Sequence, residues 1–397
     1  MSRFYSHINT AITLIQSYTP DTPFAIFIKQ FFAANKKYGS QDRRQIASLC
    51  YNYFRLGHAL STVSAEEKML TANFLCTKEP SALMERLKPE WNAEITCPLD
   101  YKINTAFPQF TPGEIFPFFA ELSDGIDMPG FIKSFLIQPA LFIRIRPYKK
   151  ANTVKKLEKS RLSYKWMGDD CVQMEPGTKV DDFFIVDKEV VIQDYNSQQV
   201  FNYLQYDSHK SDWINLHLKT EFSAWDCCAA SGGKSILLLD IIKTKINLTI
   251  SDIRASIISN LHQRFLKAGI KEYKYFIADL GDLGFQLPAL DFDLIICDAP
   301  CTGSGTWSRT PEQLCFFEKQ KIAEYSEQQK KLVINLIPHI KDDGLLVYIT
   351  CSVFKKENEE IAMFILRKFN CRLRHMELLK GYDKKADSMF VAIFSKT

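Results

Sequence analysis

The stretch Phe222-Ser223-Ala224-Trp225-Asp226-Cys227-Cys228-Ala229-Ala230-Ser231-Gly232-Gly233-Lys234 decides the fold. An apolar run of strand length, Ala224–Cys227, passes into a turn of small residues and then into a helix. Small residues let a backbone turn approach a ligand closely, and the helix that follows supplies free amide hydrogens. The turn is not a phosphate-binding P-loop, because the Gly-x-x-x-x-Gly-Lys-Ser/Thr spacing is missing. Outward from it the same pattern repeats. Leu248–Ser251, Tyr275–Ala278, Phe292–Cys297 and Leu345–Ile349 are further strand-length runs, separated by helical stretches such as Ser256–Ala268 and Glu318–Ile337. This alternation predicts an α/β fold, an open sheet with helices on both faces and most strands parallel. Arg372–Leu379 and Met389–Phe394 flank a polar turn, which adds two strands and makes the last one antiparallel.

Acids stand where these strands end. Asp252 closes the second strand, where a carboxylate accepts both hydroxyls of a ribose. Asp279 follows the third and Asp298 closes the fourth. Three acids on the ligand-binding edge of an open sheet point to a bound nucleoside, carried either by a dinucleotide or by S-adenosylmethionine. A dinucleotide would want Gly-x-Gly-x-x-Gly, which is absent. A second constellation lies beside the first. Asp298-Ala299-Pro300-Cys301-Thr302-Gly303-Ser304-Gly305 follows the fourth strand and Thr350-Cys351-Ser352 the fifth, so two cysteines face one crevice. Metal ligation is the competing use of such a pair. No Cys-x-x-Cys occurs and no His is close in sequence to either cysteine, so no metal site is expected. Cys50, Cys227, Cys297, Cys315 and Cys371 read as inert thiols, the commoner fate of cysteine. Cys351 stands at a strand end rather than inside an apolar run, and reads as functional.

Composition sets the frame around this core. With 397 residues, 46% hydrophobic and 24% charged, the chain can bury two or three domains. Fifty basic against 46 acidic side chains leave a net charge of +4, so a nucleic-acid partner requires a local patch. One candidate exists: Arg144, Arg146, Lys149, Lys150, Lys155, Lys156, Lys159, Arg161 and Lys165, against the single acid Glu158. Such a run is either a solvated face or the footprint of a phosphate backbone. It falls in a segment with a strand at Leu141–Arg146, a helix at Val154–Ser160 and a strand at Glu189–Gln193, which reads as a small α+β unit. The first third is helical. Phe24, Phe27, Ile28 and Phe31 share one face of Pro23–Asn35, and a second helix runs from Ser40 to a stop at Gly57. No stretch approaches the roughly 20 apolar residues of a membrane span. Met1 to Gln16 lacks a signal-peptide pattern. With 11 cysteines, this predicts a cytoplasmic protein with reduced thiols, taken as a monomer.

These motifs resemble those of the RsmB/Nop/Sun-type RNA cytosine-5 methyltransferases, which use S-adenosylmethionine. The family's glycine loop is matched by Cys228-Ala229-Ala230-Ser231-Gly232-Gly233-Lys234, its Pro-Cys motif by Asp298-Ala299-Pro300-Cys301, and its Thr-Cys-Ser motif by Thr350-Cys351-Ser352. Arg309-Thr310-Pro311-Glu312 is similar to the segment after the Pro-Cys loop, and Leu141–Arg144 and Ile192–Asp194 to the strand pair leading into the core. Tyr38–Arg44 with Tyr51 and Arg55 resembles part of the NusB-type helical domain of bacterial RsmB proteins. The resemblance implies a Rossmann-like methyltransferase core with a mostly parallel seven-stranded sheet over residues 196–397. It also implies a small α+β RNA-binding unit over 138–195 and a helical, partly NusB-like domain over 1–137. It further implies S-adenosylmethionine, without metal, bound by residues 228–234, Asp252, Asp279 and Asp298. Cys351 becomes the nucleophile, Cys301 the residue that assists release, and Asp298 the partner of the cytosine ring. The implied substrate is RNA, ribosomal before transfer RNA. One residue departs from the pattern: Ser231 stands where the family has Pro, which is expected to loosen the loop. Lys234 reads either as a phosphate or loop contact or as a solvated lysine. A DNA-type enzyme would instead use Cys301 as nucleophile and leave Thr350-Cys351-Ser352 unexplained. A non-catalytic RNA-binding protein on the same fold would be expected to have lost one of the cysteines.

Overall fold

A computed structural model describes residues 3–106, 111–204, 221–242, 244–282, 284, 285, 287 and 291–397. The chain divides into two compact units: Met1–Ala120, Gly125–Gln138 and Thr306–Lys319 form one, and Glu121–Asp124, Pro139–Gly305 and Gln320–Thr397 the other.

The second unit contains two sheets. The smaller joins β1 (Leu141–Ile145), β2 (Tyr164–Trp166), β3 (Cys171–Met174) and β4 (Val190–Ile192) in the order β2-β3-β1-β4, all antiparallel. Ile143 and Ile145 meet Leu157 and Val172 on one face, while Phe142 packs with Ala140, Cys171 and Ala386 on the other. The β2–β3 hairpin was not expected from the sequence, because Tyr164-Lys165-Trp166 is too short to show a period. The helix predicted at Val154–Ser160 spans Lys150–Lys159, its polar first turn carrying no apolar signal.

Structure also corrects the basic run. Arg144 is buried and lies 2.6 Å from the Asp240 carboxylate, which also takes Arg146 at 2.7 Å. Lys156 lies 2.6 Å from Glu189. A guanidinium taken from water must be paired; Arg144 and Arg146 tie β1 to the helix Gly233–Ile241 of the larger sheet, and Lys156 ties its own helix to Glu189 beside β4. Lys155, Lys159, Arg161 and Lys165 remain exposed.

The larger sheet comprises β5 (Glu221–Asp226), β6 (Lys245–Asp252), β7 (Lys274–Ile277), β8 (Phe292–Asp298), β9 (Ile340–Thr350), β10 (Cys371–Leu379) and β11 (Met389–Lys396). Its order is β10-β11-β9-β8-β5-β6-β7. All pairs are parallel except those made by β11, as the polar turn before it predicts. Ala224, Leu248, Leu294 and Val347 point into one apolar layer and Trp225, Ile295, Leu346 and Tyr348 into the other. Helices cover both layers, so the strands read as continuous apolar runs. The order reverses between β5 and β8, and the carboxyl ends there are the expected binding edge.

The first unit is helical. Helices Phe24–Ala34 and Ser40–Arg55 begin and end within a residue or two of their sequence limits. Arg3–Ser17 and Ala65–Cys76 join them. Arg55 is buried and donates through Nη1 to the carbonyls of Phe135 at 2.9 Å and Ser308 at 3.0 Å. Arg309–Glu312 thus belongs to the helical unit, and its helix Pro311–Phe316 places Phe316 against Tyr18 and Phe54.

Candidate active site

The glycine loop, Asp252, Asp279, Asp298, Cys301 and Cys351 all lie at or just beyond the carboxyl ends of β5 to β9. Asp226 closes β5 and is buried; its Oδ2 accepts from Ser235 at 2.6 Å, and Oδ1 has no hydrogen-bond partner. Burial, with the nearby Asp298 charge adding to it, pushes its pKa up to about 7. The turn then folds back: Ala229 N donates to Ser251 O at 2.9 Å, and Ala230 takes a left-handed φ of 46°. Gly232 follows at φ 78°, where a Cβ would stand 2.6 Å from the Phe265 ring. Only glycine satisfies both the angle and the approach of the helix Ala255–Ala268.

Asp252 closes β6. Its Oδ2 accepts from Ala230 N at 3.0 Å and its Oδ1 from Arg254 N at 3.0 Å and Arg254 Nε at 3.1 Å. Burial favours the neutral acid, but these donors outweigh it and hold the carboxyl below its usual range. The Arg254 side chain is largely exposed, so this pairing is not part of the packed core. Asp279 is exposed two residues beyond β7, and its carboxylate accepts from Gly281 N at 2.9 Å. Cys228, Ala230, Asp252, Arg254, Asp279, Leu280, Asp298 and Cys301 line a cavity of about 420 Å³. Asp252 and Asp279 reach it from the ends of β6 and β7, Asp298 and Cys301 from the end of β8, and Leu280 and Leu332 add apolar lining. A nucleoside with a short charged tail fits those donors and acceptors. Among the described residues no group of three or more His, Cys, Asp or Glu is placed to hold a metal ion.

Lys234 is neither solvated nor aimed at a phosphate. Its ammonium lies 2.5 Å from Asp298 Oδ2, in a nearly buried position. Burial alone would favour the neutral amine; Asp298 first, then the Cys351 sulfur, more than offset it and keep Lys234 charged. Ser231 does not simply loosen the loop either. Arg264 donates through Nη1 to Ser231 O at 3.0 Å and Oγ at 2.9 Å, and is itself held by Asp187 at 2.7 Å.

Beyond β8 and β9 the two cysteines come together, with Sγ atoms 3.4 Å apart. The thiol of Cys301 is raised well above its usual value, first by its hydrogen bond to Cys351, then by burial and by the charges of Cys351 and Glu357. Cys301 therefore keeps its proton. Cys227 and Cys297 are buried, and burial drives the Cys227 thiol well up, which suits an inert role. Cys50 is buried as well, whereas Cys315 and Cys371 are only partly so. Sequence reading missed Arg254, Arg264, Asp187 and Glu357. Asp187 and Arg264 stand 77 residues apart, and nothing local marks either of them.

Residues 213–394 match the family model described as 16S rRNA methyltransferase RsmB/F. The probable ribosomal RNA small subunit methyltransferase B of Bacillus subtilis is 28% identical over 195 residues, 49% of this chain and 41% of that protein. The human tRNA (cytosine(72)-C(5))-methyltransferase NSUN6 is 30% identical over 157 residues, 37% of this chain and 33% of that protein. The chain thus spans well under half the length of these curated relatives. Among solved structures, PH0851 aligns over 100% of both chains with a TM-score of 0.71 at 18% identity. A methyltransferase homolog protein from Pyrococcus horikoshii aligns over 70% of this chain and 92% of its own, with a TM-score of 0.54 at 20% identity. At such identities the two structures establish the fold alone, an open, mostly parallel α/β sheet flanked by helices. The glycine loop and both cysteines fall within residues 213–394, the part of the chain that matches the RsmB/F model and is similar to these RNA methyltransferases.

Proposed function

We propose that the protein transfers a methyl group to carbon-5 of a cytosine in RNA through a covalent cysteine adduct. The observation that carries this reading is the cysteine pair, 3.4 Å apart, whose member Cys301 lines the same cavity as Asp252, Asp279 and Asp298. S-adenosylmethionine, bound by residues 228–234 and those acids, supplies a methyl group on a sulfonium that needs no metal activation. Carbon-5 of cytosine is a weak nucleophile, so the protein must add electron density to the ring. The Cys351 thiolate adds to carbon-6, forming a C–S bond and leaving carbon-5 enamine-like. Asp298, oriented by Lys234, hydrogen-bonds the ring nitrogen as charge grows there. After carbon-5 is alkylated, its proton passes to solvent water, the electrons of that C–H bond restore the carbon-5–carbon-6 double bond, and the C–S bond breaks with Cys351 departing as thiolate. Cys301, which holds a proton 3.4 Å away, assists that departure.

The relatives' names support ribosomal RNA as substrate, with transfer RNA as the alternative. The small antiparallel sheet, with exposed Lys155, Lys159, Arg161 and Lys165, is the proposed RNA-contacting unit. The test is methyl transfer from labelled cofactor to total RNA, followed by bisulfite sequencing. Label at cytosine carbon-5 in one RNA class supports the reading. Label on DNA alone, or on no nucleic acid, overturns it.

A further inference from the structure

Two loops must hold the cysteines at one distance, and no backbone ladder joins them beyond the strand ends. Adjacent strands β8 and β9 lead into them, and Ala299 N still donates to Ile349 O at 2.9 Å. Past that point a carboxylate takes over. Glu357 is fully buried, six residues after Cys351. Its Oε1 accepts from the backbone N of Thr302, the residue next to Cys301, at 2.8 Å. Its Oε2 accepts from Thr302 Oγ1 at 2.6 Å and from Ser352 Oγ, the residue next to Cys351. Gln329 Nε2 donates both to Glu357 Oε1 at 3.4 Å and to Pro300 O at 2.9 Å, which fixes the other side of Cys301.

Backbone packing allows this close approach. Gly305 N donates to Cys351 O at 2.8 Å, and a Cβ at Gly305 would stand 2.9 Å from that oxygen. Ser304 Oγ accepts from Val353 N at 2.9 Å. Asn358, also buried, donates to Ser352 O at 2.9 Å and closes the Cys351 turn from below. A carboxylate buried among donors from both loops is costly to place there unless each oxygen is satisfied. Here each oxygen is satisfied, and by the immediate neighbours of the two cysteines.

We infer that Glu357 is a positioning residue that sets the Cys301–Cys351 distance and so controls release of the covalent product more than its formation. The inference rests on the proposed cysteine chemistry. Attack needs only Cys351 and the substrate, whereas release needs Cys301 beside the same sulfur. Without Glu357 the Cys351 turn loses the Ser352 hydroxyl bond but keeps those from Gly305 N and Asn358, whereas Thr302 loses both its carboxylate bonds, so Cys301 moves more than Cys351.

The test follows methylated RNA in a single-turnover reaction of the full chain, separating free from protein-linked RNA on a denaturing gel. Glu357→Ala is expected to raise the protein-linked share severalfold and to lower kcat about tenfold or more, with KM for RNA changed less than twofold. Glu357→Gln is expected to restore most of the release. The amide oxygen still accepts from Thr302 N, and the hydroxyls of Thr302 and Ser352 turn to accept from the amide nitrogen. Thr302→Val removes one anchor, keeps the backbone bond, and is expected to give a smaller rise in linked RNA should Glu357→Ala fail to fold. Linked and released product falling together in these variants would overturn the positioning role, as would a wild-type linked share in folded Glu357→Ala. A parent protein that forms no adduct and methylates no RNA cytosine would instead overturn the reading beneath it.

Discussion

The two sides of the crevice are held by different forces. On the cofactor side, partly exposed ion pairs fix the loops: Arg254 on Asp252, and Asp187 through Arg264 on Ser231. On the cysteine side, Glu357, Asn358, Ser304 and Ser352 are buried, and hydroxyls and amides carry the bonds. Exposed pairs contribute little and exchange with water readily. Buried networks are rigid as long as every member is satisfied. The difference teaches that the site separates its tasks: one wall opens for a ligand that must come and go, the other holds two sulfurs at a fixed distance.

The largest expected effect lies at the Lys234–Asp298 pair, where the two walls meet. Lys234→Met leaves the half-buried Asp298 without its cation, and methyl transfer should fall about a hundredfold, roughly 3 kcal/mol in the barrier. Cofactor affinity should fall less than about tenfold, since the Lys234 ammonium is spent on Asp298 and does not line the cavity. Steady-state kinetics and calorimetry read the two apart, and equal losses in both would blur the division between the walls.

Next comes the open wall. Asp252→Ala should weaken S-adenosylmethionine binding about thirtyfold, near 2 kcal/mol, the scale of hydrogen bonds to a charged group. Arg254→Ala should not weaken it, since Arg254 occupies the carboxylate that the ribose needs. A loss in both variants would make Arg254 a ligand contact rather than a placeholder.

A third prediction concerns the base of the glycine loop. The folded-state pKa of Asp226 is raised to about 7 from 3.8, so the folded protein binds the extra proton between those values. Stability from this group is therefore full below pH 4 and is lost as pH rises through 7. Asp226→Asn should be more stable than the parent at pH 8, by on the order of 3 kcal/mol, and should lose that advantage near pH 4. Denaturant midpoints at the two values measure it, and an equal difference at both would remove Asp226 from the account.

The smallest effect belongs to the RNA face. Neutralising Lys155, Lys159, Arg161 and Lys165 should weaken RNA binding across sequences and flatten its salt dependence, since fewer counterions are released. Neutralising Lys156 instead should cost stability through Glu189 and leave the salt slope unchanged.

Much of this was legible in the chain. Strand positions, the antiparallel last strand and the crevice acids follow from periodicity and from what ends each run. The cysteine pair follows from two strand ends that the topology makes neighbours. Partnerships over long separations were not legible. Lys234 reads as a lysine after a glycine loop until Asp298, 64 residues on, folds beside it. Arg144 and Arg146 read as a basic patch because the acid that neutralises both, Asp240, lies in a different sheet's helix. Glu357 follows the Thr-Cys-Ser motif closely, yet its meaning depends on Thr302, 55 residues earlier. Short β2 gave no period at all. Local pattern sets elements; pairing of charges is decided only when the elements meet.

The most direct measurement is to map the covalent link. In Cys301→Ala, incubated with RNA and S-adenosylmethionine and digested, mass spectrometry should find methylated cytosine attached to the peptide containing Thr350-Cys351-Ser352, while Cys351→Ala yields neither adduct nor methylated RNA. An adduct on Cys301 in the Cys351→Ala protein, or methyl transfer persisting in that variant, would contradict the account.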